Sequence, residues 1–588
     1  MSKGNFNDAF KPYDMFASEA SQKYILKRES RGHYSERDHK DATRPLREMG
    51  YNLRLYQHRL KGRHPLQLLA SPDTPIQGDA QRGQALAEGN FILKNGSLSF
   101  SNVMFWQNIA LVQPQEQKYI HGFSWLNDLS AIENRPLARQ SVELIIRQWL
   151  EEFDVWQVLV WSPEVLSDRL LNWIIHAPLV MASPDMVFRS QVLGSMAKQA
   201  RHLARTVKDA GFGVPSIRAA TALTVAGLLL PGLQAYYMRG ITRLESLITS
   251  LVQADGGVVS RNPSHSVDVM YYLILLKNSY REINIPAPSW IQVTLDNLAP
   301  FARGLRHGDG ALARFNGAFD IKSTDIDMIL AASDARGRAC ENASATGYQR
   351  LKKRRTTVIM DAGITPLPRG LDATAAGTLS FELSDGKDLM VVNMGFAEDT
   401  ENTMDLPMLC RTSAAHSTVI VGDKNSTQIM SDGKIGRGVQ TVEVMREDTS
   451  RHSAVSACHD GYMLNFGCLH RRKLTLSMDG RTLLGEDELD LTQPPTADFN
   501  AVARFHLHPN VNAVFSQGGG TILLRLPSGH GWQFSVKGGC AELTDSLFME
   551  TPSKPVKSQQ ILVLMKRKHK ADVLKIKWSF ERLDGANA

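Results

Sequence analysis

Residues 255–269 read DGGVVSRNPSHSVDV and place Arg261, Asn262 and His265 close together, directly ahead of an apolar run. An imidazole titrates near neutral pH and can take a proton, while a guanidinium or an amide can hold an anion. The grouping asks for chemistry that moves a proton beside a bound negative charge. The same letters also make a plain helix entry, with Gly256 and Gly257 ending one helix, Asn262-Pro263 turning the chain, and Ser264 or Ser266 capping the next. Later in the chain, Arg504, His506 and His508 alternate with Phe505 and Leu507, so they share one side of a strand. That side reads as a solvated face or as part of a basic groove for an acidic glycan.

These side chains need elements to carry them. Val192, Met196, Ala200, Leu203 and Val207 recur at helical spacing, as do Ile241, Leu244, Leu247, Ile248 and Leu251. The nearly all-apolar IRAATALTVAGLLLPG predicts an inner helix stopped by Pro231-Gly232. Trp156, Trp161 and Trp173 read as core, with a sugar-stacking platform as the alternative. Past residue 350 the period drops to two: TLSFEL sets Leu379, Phe381 and Leu383 against Thr378, Ser380 and Glu382, and KLTLSM and TILLRL repeat the pattern. The reading is a polar N-terminal arm over 1–60, loose or peripherally helical, a helical domain over 61–330 and an antiparallel β-domain over 331–588.

The chain has 588 residues, enough for two to four domains, and its 43% hydrophobic and 22% charged content is that of a globular protein. A net charge of +7 favours polyanionic partners. The densest basic cluster, Lys566-Arg567-Lys568-His569-Lys570, follows a strand-like run and reads as a solvated strand end, so nucleic-acid binding rests on charge alone and is the weakest reading. No stretch approaches the roughly 20 apolar residues of a membrane span, and the opening MSKGNFNDAFKPYDMF has no apolar core of a secretory signal. Five cysteines without C-x-x-C spacing read as buried free thiols.

The order of GDAQRGQALAEGNF, YIHGFSWLNDL, DGGVVSRNP, RHGDGALARFNGA, ATGYQRL, AAHSTVIVGDKNS, HDGYMLNFGCLHRRKL and ARFHLHP resembles the heparinase II/III family of polysaccharide lyases, over about residues 75 to 570. The resemblance implies an incomplete (α/α) toroid followed by a large antiparallel β-sandwich. It also implies β-elimination on a uronate-containing acidic polysaccharide bound between the two, with no cofactor required for the chemistry. One polar group neutralises the C5 carboxylate, a base then removes the C5 proton, and an acid protonates the leaving O4. By resemblance His265 stands where related lyases carry a tyrosine and becomes the base, with Arg261 and Asn262 on the carboxylate and Tyr348 either a second acid or base or, as the better reading, a tyrosine packed at a strand start. His416, Asp432 and His470 resemble a structural zinc site of some family members, with three unrelated polar residues as the alternative. His459 is an alternative third ligand or a substrate-binding cleft residue.

Three family polar groups are replaced here, by Val214-Pro215, by Ala375-Ala376-Gly377 and by Val258. An altered or inactive site follows as the second reading: a catalytically degenerate member that binds acidic polysaccharide. The family works in the periplasm or cell envelope, while the absence of a visible signal leaves a cytoplasmic location open. The polymer and the oligomeric state are not legible.

Overall fold

The computed structural model describes residues 21–27, 44–62, 65–93, 96–99, 106, 109–110, 112–319, 321–366, 373–399, 405–492, 499–517, 520–565 and 573–583. The basic run at 566–570 lies outside the described residues.

Apolar spacing builds the helical half. The Val214–Leu229 helix has a single ionisable side chain, Arg218, and is buried along most of its length. It packs against the helices Pro163–Ile175, Met186–Thr206, Gln234–Leu251 and Pro263–Glu282, joined in succession by short loops. Two glycines allow the close approach of the inner helix to its next neighbour. A Cβ on Gly227 would stand 2.2 Å from the Tyr237 nitrogen, and one on Gly240 2.6 Å from Thr224 Oγ1. Trp149, Trp161 and Trp173 are fully buried and Trp156 nearly so, which settles the tryptophans as core and rules out a sugar platform.

The last helix before the sheets is Ser323–Ala332, and the β half consists of two nine-stranded antiparallel sheets. Phe381 and Phe505 from one sheet meet Trp578, Phe534 and Phe580 from the other in the core between them. The sheet containing Phe381–Asp385 is the middle layer, since Tyr348 and Ile359 on its strands join the core of the helical half. The alternation in TLSFEL predicts a half-buried strand, yet Phe381–Asp385 is buried throughout. Glu382, on the expected solvent side, turns to the helical half, where it accepts from His307 Nε2 at 3.1 Å and from the Arg314 N–H at 3.2 Å. The alternation was real, but both faces are covered.

Two expectations change. The N-terminal arm supplies an edge strand, Ser21–Lys27, antiparallel to Thr441–Asp448, and two short helices, Arg44–Tyr51 and Arg54–Leu60, anchored by the buried Leu60 and by Tyr56, whose hydroxyl lies 2.6 Å from His202 Nδ1. The face of Arg504, His506 and His508 is half-buried at Arg504 and His508, and Arg504 and His506 line a cavity of about 360 Å³. His506 is buried, with Nδ1 2.8 Å from Ser546 Oγ and Nε2 2.9 Å from the Ala414 carbonyl. Among the described residues no helix is long and apolar enough to cross a membrane.

Candidate functional site

The DGGVVSRNP loop is a clasp between the two halves. Asp255 accepts from the N–H groups of Ala345 and Thr346 at 2.9 and 2.7 Å and from the Thr346 hydroxyl at 2.9 Å. Six residues on, Arg261 donates Nε to the Thr346 carbonyl at 2.7 Å and Nη1 to the Ile364 carbonyl at 2.9 Å, and its Nη2 pairs with Asp361. The glycines between are required by closeness. Gly256 has φ +86° and its Cβ would lie 2.0 Å from the Asn297 carbonyl oxygen, while a Cβ on Gly257 would meet Thr346 Cγ2 at 2.3 Å. Arg261 itself has φ 56°, an uncommon value for a side-chain-bearing residue, held in place by its three partners.

This corrects the role expected for Arg261 and bears on those of Asn262, Tyr348 and His265. Arg261 is buried and its guanidinium already answers two carbonyls and a carboxylate, so it has no face to offer a uronate. Asn262 is the cap of the Pro263–Glu282 helix, its Oδ1 accepting the Ser264 N–H at 2.9 Å, whereas Ser264 donates its hydroxyl to the Phe319 carbonyl. Tyr348 is buried against Phe301, Phe315 and the Arg261 guanidinium, donates to the Arg261 carbonyl and accepts from Asn316 Nδ2 at 3.0 Å. Burial first, and Asp361 second, raise its phenol far above the usual range, so it has no access to substrate and no tendency to ionise. His265 alone keeps some exposed surface. Its Nδ1 lies 2.8 Å from Ser260 Oγ, and burial lowers its pKa to about 4, which leaves a neutral imidazole with neither the guanidinium nor the phenol turned towards it.

The β-half histidines form a buried chain of bonds. His459 Nδ1 accepts the Gly461 N–H at 3.0 Å, so its proton sits on Nε2, which faces His470 Nδ1 at 3.2 Å. His470 then carries its own proton on Nε2 and donates it to Asp487 at 3.0 Å. Asp487 also accepts from Arg472 at 2.7 and 3.0 Å and from the Trp578 indole at 2.8 Å. Both nitrogens of His459 and of His470 are thereby used. His459 is fully buried and is not a cleft residue. The expected zinc triad does not assemble: His416 is buried with Nδ1 on the Thr412 carbonyl at 2.7 Å, Asp432 is exposed and paired with Lys434, and His470 belongs to Asp487. Among the described residues no three His, Cys, Asp or Glu side chains are grouped to hold a metal ion.

A polar place that the sequence reading missed lies within the helical half. A cavity of about 300 Å³ is lined by residues including Asp168, Asn172, His176, Arg218, Tyr271 and Tyr272. Arg218 donates Nη1 to both Asp168 oxygens at 3.0 and 2.8 Å. Burial works against the guanidinium's charge, but Asp168 outweighs it and the pKa of Arg218 is raised. Asp268 stands one turn before Tyr272, within the field of Arg218, and has no hydrogen-bond partner among the described residues; burial pushes its carboxyl up to about 7. A signal was present, since a lone Arg in IRAATALTVAGLLL and a lone Asp in SVDVMYYLILL are ionisable groups inside apolar helices.

The Asp268 carboxyl carries a stability consequence with a defined sign. Its folded pKa lies above the ordinary value of 3.8, so the folded state keeps a proton that the unfolded chain has already lost, and stability falls as pH rises from about 4 through 7. Asp268→Asn removes that cost. It is expected to stabilise the protein at pH 8 by about 2 to 4 kcal/mol, from about 1.4 per unit discounted for cavity water, and to match wild type near pH 4. Thermal unfolding of both proteins across this range checks it, and an equal difference at both ends would contradict it.

Residues 335–579 match the family described as Heparinase II/III-like, C-terminal. The chain is similar to FtsZ-localized protein C of Caulobacter vibrioides (strain NA1000 / CB15N), 26% identical over 548 residues, covering 90% of this chain and 93% of that one. Among solved structures it is similar to heparinase III, with a TM-score of 0.70 at 14% identity, covering 90% of this chain and 89% of that one. It is also similar to a mutant of the heparan sulfate lyase HepC from Pedobacter heparinus, with a TM-score of 0.63 at 17% identity, covering 91% and 88%.

Proposed function

The chain has the heparinase II/III-family fold, and on that premise we propose that it holds saccharide without cleaving it by elimination. The saturation of Arg261 carries this reading. A C5 proton is a very weak acid until its neighbouring carboxylate is paired, and the guanidinium beside His265 is spent on Thr346, Ile364 and Asp361. Asn262 gives its oxygen to the helix end, so only its amide N–H groups are unspent among the described residues, and Tyr348 is sealed under the Arg261 backbone. His265 therefore has the neutral form of a base without the charged partner that would make its target acidic.

Elimination leaves a double bond between C4 and C5, so ultraviolet absorbance on a panel of uronate polymers tests the proposal. Absorbance is expected to stay flat while the same polymers are retained on immobilised protein, the net charge of +7 favouring acidic chains. A rise that His265→Ala abolishes would restore the lyase reading with His265 as base, and a rise that persists would place the chemistry elsewhere. Either would overturn the proposal.

The likeness to a protein named for FtsZ localisation, over nine-tenths of both chains, favours a second reading in which this chain is recruited with FtsZ. Such a role needs a binding surface and no turnover. A fluorescently tagged chain is then expected to gather where FtsZ gathers in dividing cells, and a uniform distribution would count against it.

A further inference from the structure

The cavity between the inner helix and the Pro263–Glu282 helix holds polar groups that the fold does not answer. The His176 imidazole is 7% exposed, lines the cavity and has no hydrogen-bond partner among the described residues. Burial lowers its pKa to about 4, so it is neutral and offers one donor and one acceptor. The Tyr272 hydroxyl is also without a hydrogen bond among the described residues, and Arg218 Nε is buried without a partner. Arg218 Nε, sealed from solvent, costs about 1–3 kcal/mol unless water or a ligand satisfies it, while His176 and Tyr272 open on to the cavity.

The character of the missing partner follows from charge and shape. The guanidinium of Arg218 is already neutralised by both oxygens of Asp168, and both residues line the cavity. An anionic ligand would meet the Asp168 carboxylate and a guanidinium with no charge to spare. Hydroxyl groups both donate and accept, as His176 and Tyr272 require. Tyr271 and Tyr272 meet edge to face with centroids 5.4 Å apart and give the wall an aromatic surface suited to the carbon-bound face of a ring. The volume of about 300 Å³ equals roughly ten waters at about 30 Å³ each, enough for one hexose-sized ring and some of its shell.

We infer that this cavity binds an uncharged, hydroxyl-rich ring, a neutral hexose unit, and excludes uronates. The inference rests on the reading that the fold holds saccharide without eliminating it. It also narrows that reading, because a polymer in which charged and neutral units alternate would satisfy both the basic chain and the uncharged cavity.

The experiment is thermal unfolding of the full chain with matched sugars that differ only in oxidation at C6: glucose with glucuronate, galactose with galacturonate, and mannose with mannuronate. At saturating concentration at least one neutral sugar is expected to raise Tm by about 1–3 °C while its uronate does not. Tyr272→Phe removes one hydroxyl and little volume and is expected to weaken that sugar about three- to tenfold, with His176→Phe as a second variant that removes a donor and an acceptor from the lining. A uronate that outperforms its neutral partner, or a neutral sugar that binds wild type and both variants equally, would overturn the inference and leave saccharide binding standing. No shift with any sugar would also overturn it, and polymer retention would then judge the broader proposal separately.

Discussion

Asp487→Asn is expected to destabilise the β half by about 3–5 kcal/mol, the cost of removing one partner from a buried charge pair. Asp487 accepts from His470, twice from Arg472 and from Trp578, and the side chains of His470, Arg472 and Asp487 are all 0% exposed. Burial alone would raise the Asp487 carboxyl, but Arg472 and His470 outweigh it and hold its pKa below the usual carboxylate range. Without the carboxylate, Arg472 keeps only the carbonyls of Leu379 and Ser417, at 2.8 and 2.6 Å. Denaturant unfolding measures the loss, and one below about 1 kcal/mol would show that the network is dispensable. A double variant, Arg472→Met with Asp487→Leu, is expected to be less damaging than Asp487→Asn because it leaves no orphaned charge. Acid acts in the same direction. Burial lowers the pKa values of His459 and His470 below their ordinary 6.5, so the unfolded state takes up protons first and stability falls as pH drops below that value.

Arg261→Met is expected to cost a comparable amount, about 3–5 kcal/mol, and to loosen the attachment of the helical half to the middle sheet. It removes the bonds to Thr346 and Ile364 and leaves Asp361 buried with Asn316 Nδ2 at 3.1 Å and the Gly363 N–H at 3.2 Å as its remaining neighbours. The outcome separates two roles. A residue that held substrate would lose glycan retention with little change in unfolding, whereas a clasp loses stability, and calorimetry would show the two halves melting further apart. A wild-type melting profile would return Arg261 to the substrate.

The division of the chain was legible because periodicity is local. Helical spacing at Val192 to Val207 and alternation at Leu379 to Leu383 each lie within a few turns or residues, and each marks a real element. The roles of the polar residues were not legible, because they depend on partners far along the chain. Arg261 looked available until Asp361, one hundred residues later, came to meet it. The histidines of the β half needed strand register: His459 faces His470, and Arg472 faces Asp487, only once the antiparallel pairs are set. Asp268 was the reverse case. It was visible as a carboxyl in an apolar helix and went unread because it belonged to no motif.

The edge strand Ser21–Lys27 has a consequence for how the molecule is made. Its partner Thr441–Asp448 emerges from the ribosome roughly 400 residues later, which at about 5–20 residues per second means a wait of tens of seconds. Residues 21–27 must stay unpaired while the helical half forms, and that sheet acquires its border only when just over three-quarters of the polypeptide exists.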